Sequence, residues 1–199
     1  MKTTLSAELA AAAARLVVEE GMEYGPAKRK AARTLGRGAV RGADLPGNDD
    51  VEDEVFAYLQ LFQADTQPAE LAALRRLALR WMERLAEFRP HLTGAAWRGT
   101  ATRRNDLHLQ LFCDDCKSAE IALINQRVDY AASTAPGPRG DGVPVLSVAD
   151  YSDELAAPVT LHLAVLDHDD LRGALRPGAG GRTQRGDAAA LRRLLEAPA

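Results

Sequence analysis

The chain has 199 residues, with 25 Lys or Arg against 28 Asp or Glu and a formal net charge of −3, a length that suits one ordinary domain or a core with an extension. No apolar run reaches the roughly eighteen residues that span a bilayer, and the first sixteen residues, with one lysine and an alanine run, lack a signal peptide's apolar segment and cleavage pattern. Two cysteines, Cys113 and Cys116, cannot build a disulfide framework and fit a reducing cytoplasm, so the composition argues against a membrane protein, a secreted scaffold or a disordered tail.

The hydrophobic fraction is 46%, but 37 of those residues are alanine, so the interior is expected to be helix-rich and closely spaced. Charge is segregated. Residues 25–43 carry Lys28, Arg29, Lys30, Arg33, Arg37 and Arg41 with no acid, 141–170 carry seven acids and no base, and 172–193 are again basic apart from Asp187. A bipolar surface can bind an anionic partner locally, and it can equally be a set of solvated helix faces.

Helices are expected over 6–20 and 26–35, broken at Gly21 and Gly25-Pro26, followed by a flexible linker over 36–48. Asn48, Asp49 and Asp50 offer an N-cap and acidic first turn to a helix over 51–64. Another begins near Pro68 with Leu71, Leu74, Ala78, Trp81, Leu85 and Phe88 on one face, ending before Pro90. His91-Leu92-Thr93 reads as a short strand entering a small-residue turn over 94–99. The segment 106–112 alternates leucines with Asp106, His108 and Gln110, which puts those polar residues on one strand face. A helix over 117–126, strands over 128–133, 143–148 and 159–166, a glycine-rich stretch over 173–186 and a final helix over 187–196 complete the pattern. Thr160, His162 and Ala164 share one face of the 159–166 strand. Helices first and strands later imply an α+β fold, a mixed or antiparallel sheet packed on helices, with a helical N-terminal region over 1–66 and a core over 67–199. The economical arrangement leaves the histidine-bearing sheet face open.

Gly94-Ala95-Ala96-Trp97-Arg98-Gly99, five residues, then Asn105-Asp106-Leu107-His108 resembles the signature of the DNA polymerase beta-like nucleotidyltransferase superfamily. There a strand enters Gly-Ser, a second Gly follows, and Ser-Asp-x-Asp lies on the next strand. The order of elements extends the likeness over 67–170, and Ala27-Lys28-Arg29-Lys30-Ala31-Ala32 resembles the helical region of a bacterial group of such proteins. The resemblance implies a nucleotidyltransferase-like core. Its chemistry is in-line attack on a nucleoside triphosphate clamped by two divalent ions about 4 Å apart, with magnesium or manganese held by oxygen ligands. It implies phosphate binding at Gly94, Ala95, Arg98, Gly99 and Arg104, and catalytic, metal-binding positions at Asp106, His108 and His162. A nucleoside triphosphate and a nucleic acid are the partners implied, with no membrane.

The sequence departs from that signature where the metals sit. Ala95 replaces the serine, His108 the second aspartate, and His162 stands where the third acid is expected. One carboxylate cannot neutralise two divalent cations, and imidazole is a poor magnesium ligand. The expectation is a nucleotidyltransferase-like protein, weak or inactive as a transferase, that binds nucleotide or nucleic acid. Its alternatives are an active enzyme using another metal and a non-catalytic interaction module. Asp106, His108 and His162 could also form a site for a softer ion such as zinc, or be histidines hydrogen-bonded across a cleft. His91 and His168 are expected at the surface or at strand ends. In Cys113-Asp114-Asp115-Cys116 the helix start favours a thiolate and the two acids oppose it.

Overall fold

The computed structural model describes residues 4–36, 45–137, 140–172 and 183–197. Contacts group it into two compact units, one of Met1–Pro68 with Thr100–Asn105 and one of Ala69–Gly99 with Asp106–Ala199.

The first unit is helical: α1 (Thr4–Glu20), α2 (Tyr24–Thr34) and α3 (Asn48–Phe62). Leu9, Ala10, Ala13, Ala14, Val17 and Val18 of α1 recur at helical spacing and are buried with Ala27, Ala31, Val51, Val55 and Leu59. Alanine at these positions lets helix axes approach closely. The basic residues of α2 lie away from that core. Lys28 donates to the Pro46 carbonyl at 3.1 Å and to Asn48 Oδ1 at 2.8 Å, and Lys30 pairs with Glu20 at 2.5 Å, so this stretch is a helix's polar face; Arg37 and Arg41 lie outside the described residues. Gly21, at φ +68°, follows α1 where a Cβ would meet the Arg104 carbonyl oxygen at 2.6 Å, so only glycine fits. Gly25 and Pro26 fall inside the first turn of α2 rather than before it, because Pro needs no N–H partner there. Helix α3 begins at Asn48, and Asp50 accepts from the Gly47 N–H at 3.1 Å, so the acid inside the turn caps the helix. The expected linker at 36–48 falls largely on residues 37–44, outside the described residues.

In the second unit, α4 (Gln67–Arg84, whose first two residues belong to the first unit) runs into a 3₁₀ turn at Ala86–Phe88 and β1 (His91–Thr93). Then come α5 (Gly94–Arg98), β2 (Leu107–Cys113), α6 (Cys116–Asn125), β3 (Ala131–Pro136), β4 (Gly142–Ser152), β5 (Ala157–Asp167), a 3₁₀ turn at His168–Leu171, β6 (Arg185–Gly186) and α7 (Ala188–Glu196). The sheet order is β3-β4-β5-β2-β1-β6. Strands β2 and β5 are parallel and all other pairs antiparallel. The fold is thus α+β with a mixed sheet on helices.

One buried row, Leu146–Leu163–Leu109–Leu92, crosses four strands in register. Leu74, Leu77 and Met82 of α4, and Leu85 just after it, are also fully buried, each contributing about 1.5–3 kcal/mol by leaving water. Trp81 Nε1 donates at 2.8 Å to Asp150 Oδ2, on the leucine face of β4. Arg84 lies 4.7 Å over the Trp81 ring and bonds Gln126 just after α6. The helices α4 and α6 therefore cover the leucine face.

Three expectations need correction. The small-residue turn over 94–99 is the short helix α5, closed by Gly99 at φ +93° with its N–H on the Ala95 carbonyl. Strand β3 starts at Ala131, because the Arg127 and Val128 N–H groups cap α6 through the Ile124 and Leu123 carbonyls with Arg127 left-handed at φ +56°, a Schellman arrangement. The glycine-rich stretch ends in a strand, β6; residues 173–182, like 138 and 139 in the loop before β4, lie outside the described residues.

Candidate functional site

The face opposite the leucines carries a second registered row: Ser147 of β4, His162 of β5, His108 of β2, Thr93 of β1 and Arg185 of β6. With strands about 4.8 Å apart, this row runs about 19 Å across five strands. His108 and His162 are direct partners on parallel strands, their rings stacked at 26° with centroids 5.0 Å apart. His162 Nε2 lies 3.3 Å from Asp106 Oδ2, and its Nδ1 lies 2.9 Å from Ser147 Oγ. The His162 side chain is 29% exposed and that of Asp106 52%, so the group is open to solvent.

A carboxylate only accepts, so Nε2 carries the hydrogen facing Asp106; with the ring neutral, the Nδ1 lone pair accepts from the Ser147 hydroxyl. His162 thus lies within hydrogen-bond reach of Asp106 and stacks on His108. Stacking directs the two imidazole faces, not their nitrogens, at one another. Among the described residues no group of three His, Cys, Asp or Glu is arranged to hold a metal ion. One carboxylate, already hydrogen-bonded to an imidazole, does not fit a pair of magnesium ions.

Gly94 opens α5 at φ +72°, and a Cβ there would lie 3.4 Å from His108 Cδ2. Gly94 and Ala95 are buried and Arg98 is half-buried. Arg75, half-buried, donates to the Ala96 carbonyl at 2.9 Å and the Trp97 carbonyl at 3.2 Å, satisfying the open end of this short helix; burial holds its guanidinium pKa below the ordinary value. Trp97 Nε1 donates to the Thr183 carbonyl at 2.8 Å and its ring lies flush on Gly186. Arg185 reaches Gln110 Oε1 at 2.5 Å. Arg104 belongs to the first unit, where it bonds the Glu19 carbonyl. Asn105, also in that unit, accepts from the Thr102 N–H at 2.8 Å, a local turn.

His91 stands at a strand end, as one of the two expected placements has it, opening β1; it is not at the surface but 5% exposed, edge-on to Phe112 at 5.3 Å, with Nδ1–H on the Arg89 carbonyl at 2.8 Å. Burial lowers its pKa, outweighing the Arg89 carbonyl and Asp187. It is the first residue of β1, on the same face as Thr93, where Phe112 is also buried. His168, in the turn after β5, contacts Arg89. Cys113 ends β2 and Cys116 begins α6, with Asp115 as N-cap. Burial first, then Cys116, Asp115, Asp114 and Asp167, pushes the Cys113 thiol up, which disfavours a thiolate at the end of β2.

Sequence reasoning missed Ser147 and Arg185. Ser147 is the one hydroxyl residue within 143–148 and would have surfaced had that strand been registered against 159–166. Arg185 was hidden by the glycines around it.

No family model matches the chain, and no curated protein matches it. Among solved structures it is similar to the Cid1 poly (U) polymerase with MgGTP bound, at 15% identity and a TM-score of 0.34, covering 48% of this chain and 32% of that one. It is similar to Cid1 in complex with the UTP analog UMPNPP, at 15% identity and TM-score 0.34, covering 48% and 30%. It is also similar to Cid1 in complex with its short product ApU, at 16% and 0.35, covering 51% and 32%. The matched region spans about a third of the length of those structures. No helix among the described residues is long and apolar enough to cross a membrane.

Proposed function

We propose that the chain is a nucleotidyltransferase-like protein that binds a nucleoside triphosphate on the open sheet face and transfers nucleotides weakly or not at all. The observation that carries this reading is the registered pair His108 and His162 at the positions where the sequence resemblance implies metal-binding acids, with the remaining carboxylate, Asp106, turned onto His162. A site with three carboxylates repels a triphosphate until cations neutralise it. Two imidazoles in place of two carboxylates remove that repulsion and also remove the oxygen ligands magnesium needs. Arg185 on the same face, and Gly94, Ala95, Arg98 and Gly99 in and after α5, supply the phosphate end of the proposed site. Asp106, His108 and His162 form its other end.

Calorimetric titration with ATP, GTP, CTP and UTP, each with Mg²⁺ or Mn²⁺, tests this. Saturable heat with at least one triphosphate and no pyrophosphate release is the expected result. No binding to any of the four overturns the nucleotide reading. Mg²⁺-dependent pyrophosphate release abolished by Asp106→Asn establishes an active transferase instead.

A further inference from the structure

The row on the open face contains a relay in which Asp106 and His162, already placed in the proposed nucleotide site, are joined by Ser147, which that site does not use. Ser147 Oγ, His162 Nδ1, His162 Nε2 and Asp106 Oδ2 follow one another at 2.9 Å and 3.3 Å. They come from three consecutive neighbours in the sheet order: β4, β5 and the residue preceding β2. Ser147 and His162 are held opposite each other by the antiparallel register, so their contact is fixed by the backbone ladder rather than by a loop. Asp106 selects the Nε2–H tautomer and leaves Nδ1 as the acceptor of the hydroxyl proton. That is the arrangement of nucleophile, base and orienting carboxylate that acyl transfer requires, with the two ring nitrogens in exchanged roles.

We propose that Ser147 is a nucleophile activated by His162 and oriented through Asp106, and that it reacts with short-chain activated acyl esters. Ser147 is half-buried beside the exposed Asp106, a setting that favours the smallest acyl groups. In the first half-reaction the Ser147 oxygen forms a bond to the acyl carbon, its proton passes to His162 Nδ1, and the ester C–O bond breaks. The leaving alkoxide departs with that proton as an alcohol. In the second, water adds to the acyl carbon with its proton taken by Nδ1, and the acid leaves as the proton returns to Ser147. Asp106 keeps its charge throughout and stabilises the imidazolium.

The proposal is independent of the nucleotide reading, since the test contains no nucleotide. The full chain is treated with a small alkyl fluorophosphonate, whose P–F bond breaks as the Ser147 oxygen bonds phosphorus and fluoride leaves, and the adduct is mapped by peptide mass spectrometry. In parallel, p-nitrophenyl acetate is followed for a burst of p-nitrophenolate. A single adduct on Ser147 is expected, absent after denaturation and in Ser147→Ala, and slowed at least about a hundredfold in His162→Gln, the lower end of what a general base supplies. Asp106→Asn slows both reactions while its circular dichroism stays that of the parent. Absence of an adduct on Ser147 of the folded parent chain overturns the proposal even if Ser147→Ala fails to fold. An adduct that forms equally fast in His162→Gln overturns it as well.

Discussion

Substituting Gly186 by alanine perturbs the edge of the sheet beside the candidate site in a calculable way. The new Cβ would lie 2.0 Å from Trp97 Cη2 and 2.3 Å from Cζ3, against about 3.5–4.0 Å for relaxed carbon atoms. The indole must retreat by roughly 1.5 Å, which pulls its N–H away from the Thr183 carbonyl now at 2.8 Å. Overpacking of this kind costs about 1–3 kcal/mol, and the lost hydrogen bond adds about 0.5–1.5 kcal/mol. The sum, about 1.5–4.5 kcal/mol, corresponds to a fall of roughly 3–18 °C in melting temperature for a chain of this size. Circular dichroism melting with tryptophan emission recorded in parallel measures both the loss and the displaced ring. Adding Trp97→Leu to Gly186→Ala removes the clashing atoms, so the pair should destabilise less than the sum of the two single changes. A Gly186→Ala protein that melts within about 1 °C of the parent, with unchanged emission, would refute the packing of Trp97 on β6.

Burial keeps His91 neutral and its pKa low, so near its ordinary value of about 6.5 the unfolded chain binds a proton that the folded chain does not. Its contribution to stability is therefore complete above about pH 6.5 and declines as pH falls through that value toward the folded pKa. Urea midpoints across this range should drop more for the parent than for His91→Gln; equal drops contradict the assignment. Arg75→Met leaves the Ala96 and Trp97 carbonyls without their cationic donor, and urea unfolding should show a loss of about 1.5–3 kcal/mol; no measurable change would mean that water replaces the guanidinium without penalty. His108→Asp combined with His162→Asp puts two carboxylates side by side on parallel strands, and calorimetry should then show Mg²⁺ affinity raised over the parent. No gain would mean that these positions do not converge on a cation.

The parts of the fold written in side-chain periodicity were legible in the sequence. The leucine alternation of β2 and β5 located both strands and their two faces, and the apolar stripe of α4 located the helix that covers one of them. What periodicity does not encode is pairing. Neither strand announces that β2 and β5 run parallel with His108 opposite His162, nor that β4 brings Ser147 alongside; register emerges only when three strands are laid together. Burial of His91 was equally invisible, because its partner Phe112 lies on a different strand. β6 is two residues long, too short to carry any alternation, and Arg185 there becomes part of the row only through pairing with Thr93. Asp106 and His108 were legible as members of one strand face; that the Asp106 carboxylate turns onto His162 rather than outward was not.

On the proposed reading, His108 and His162 stand where magnesium ligands are implied on this sheet face, and a nucleotide site remains. Pyrophosphate release measured on the purified chain with each of the four triphosphates and Mg²⁺, on samples whose triphosphate binding has been established by calorimetry, tests it most directly. The account predicts saturable binding and pyrophosphate no higher than in the Asp106→Asn control. Pyrophosphate release well above that control would contradict it.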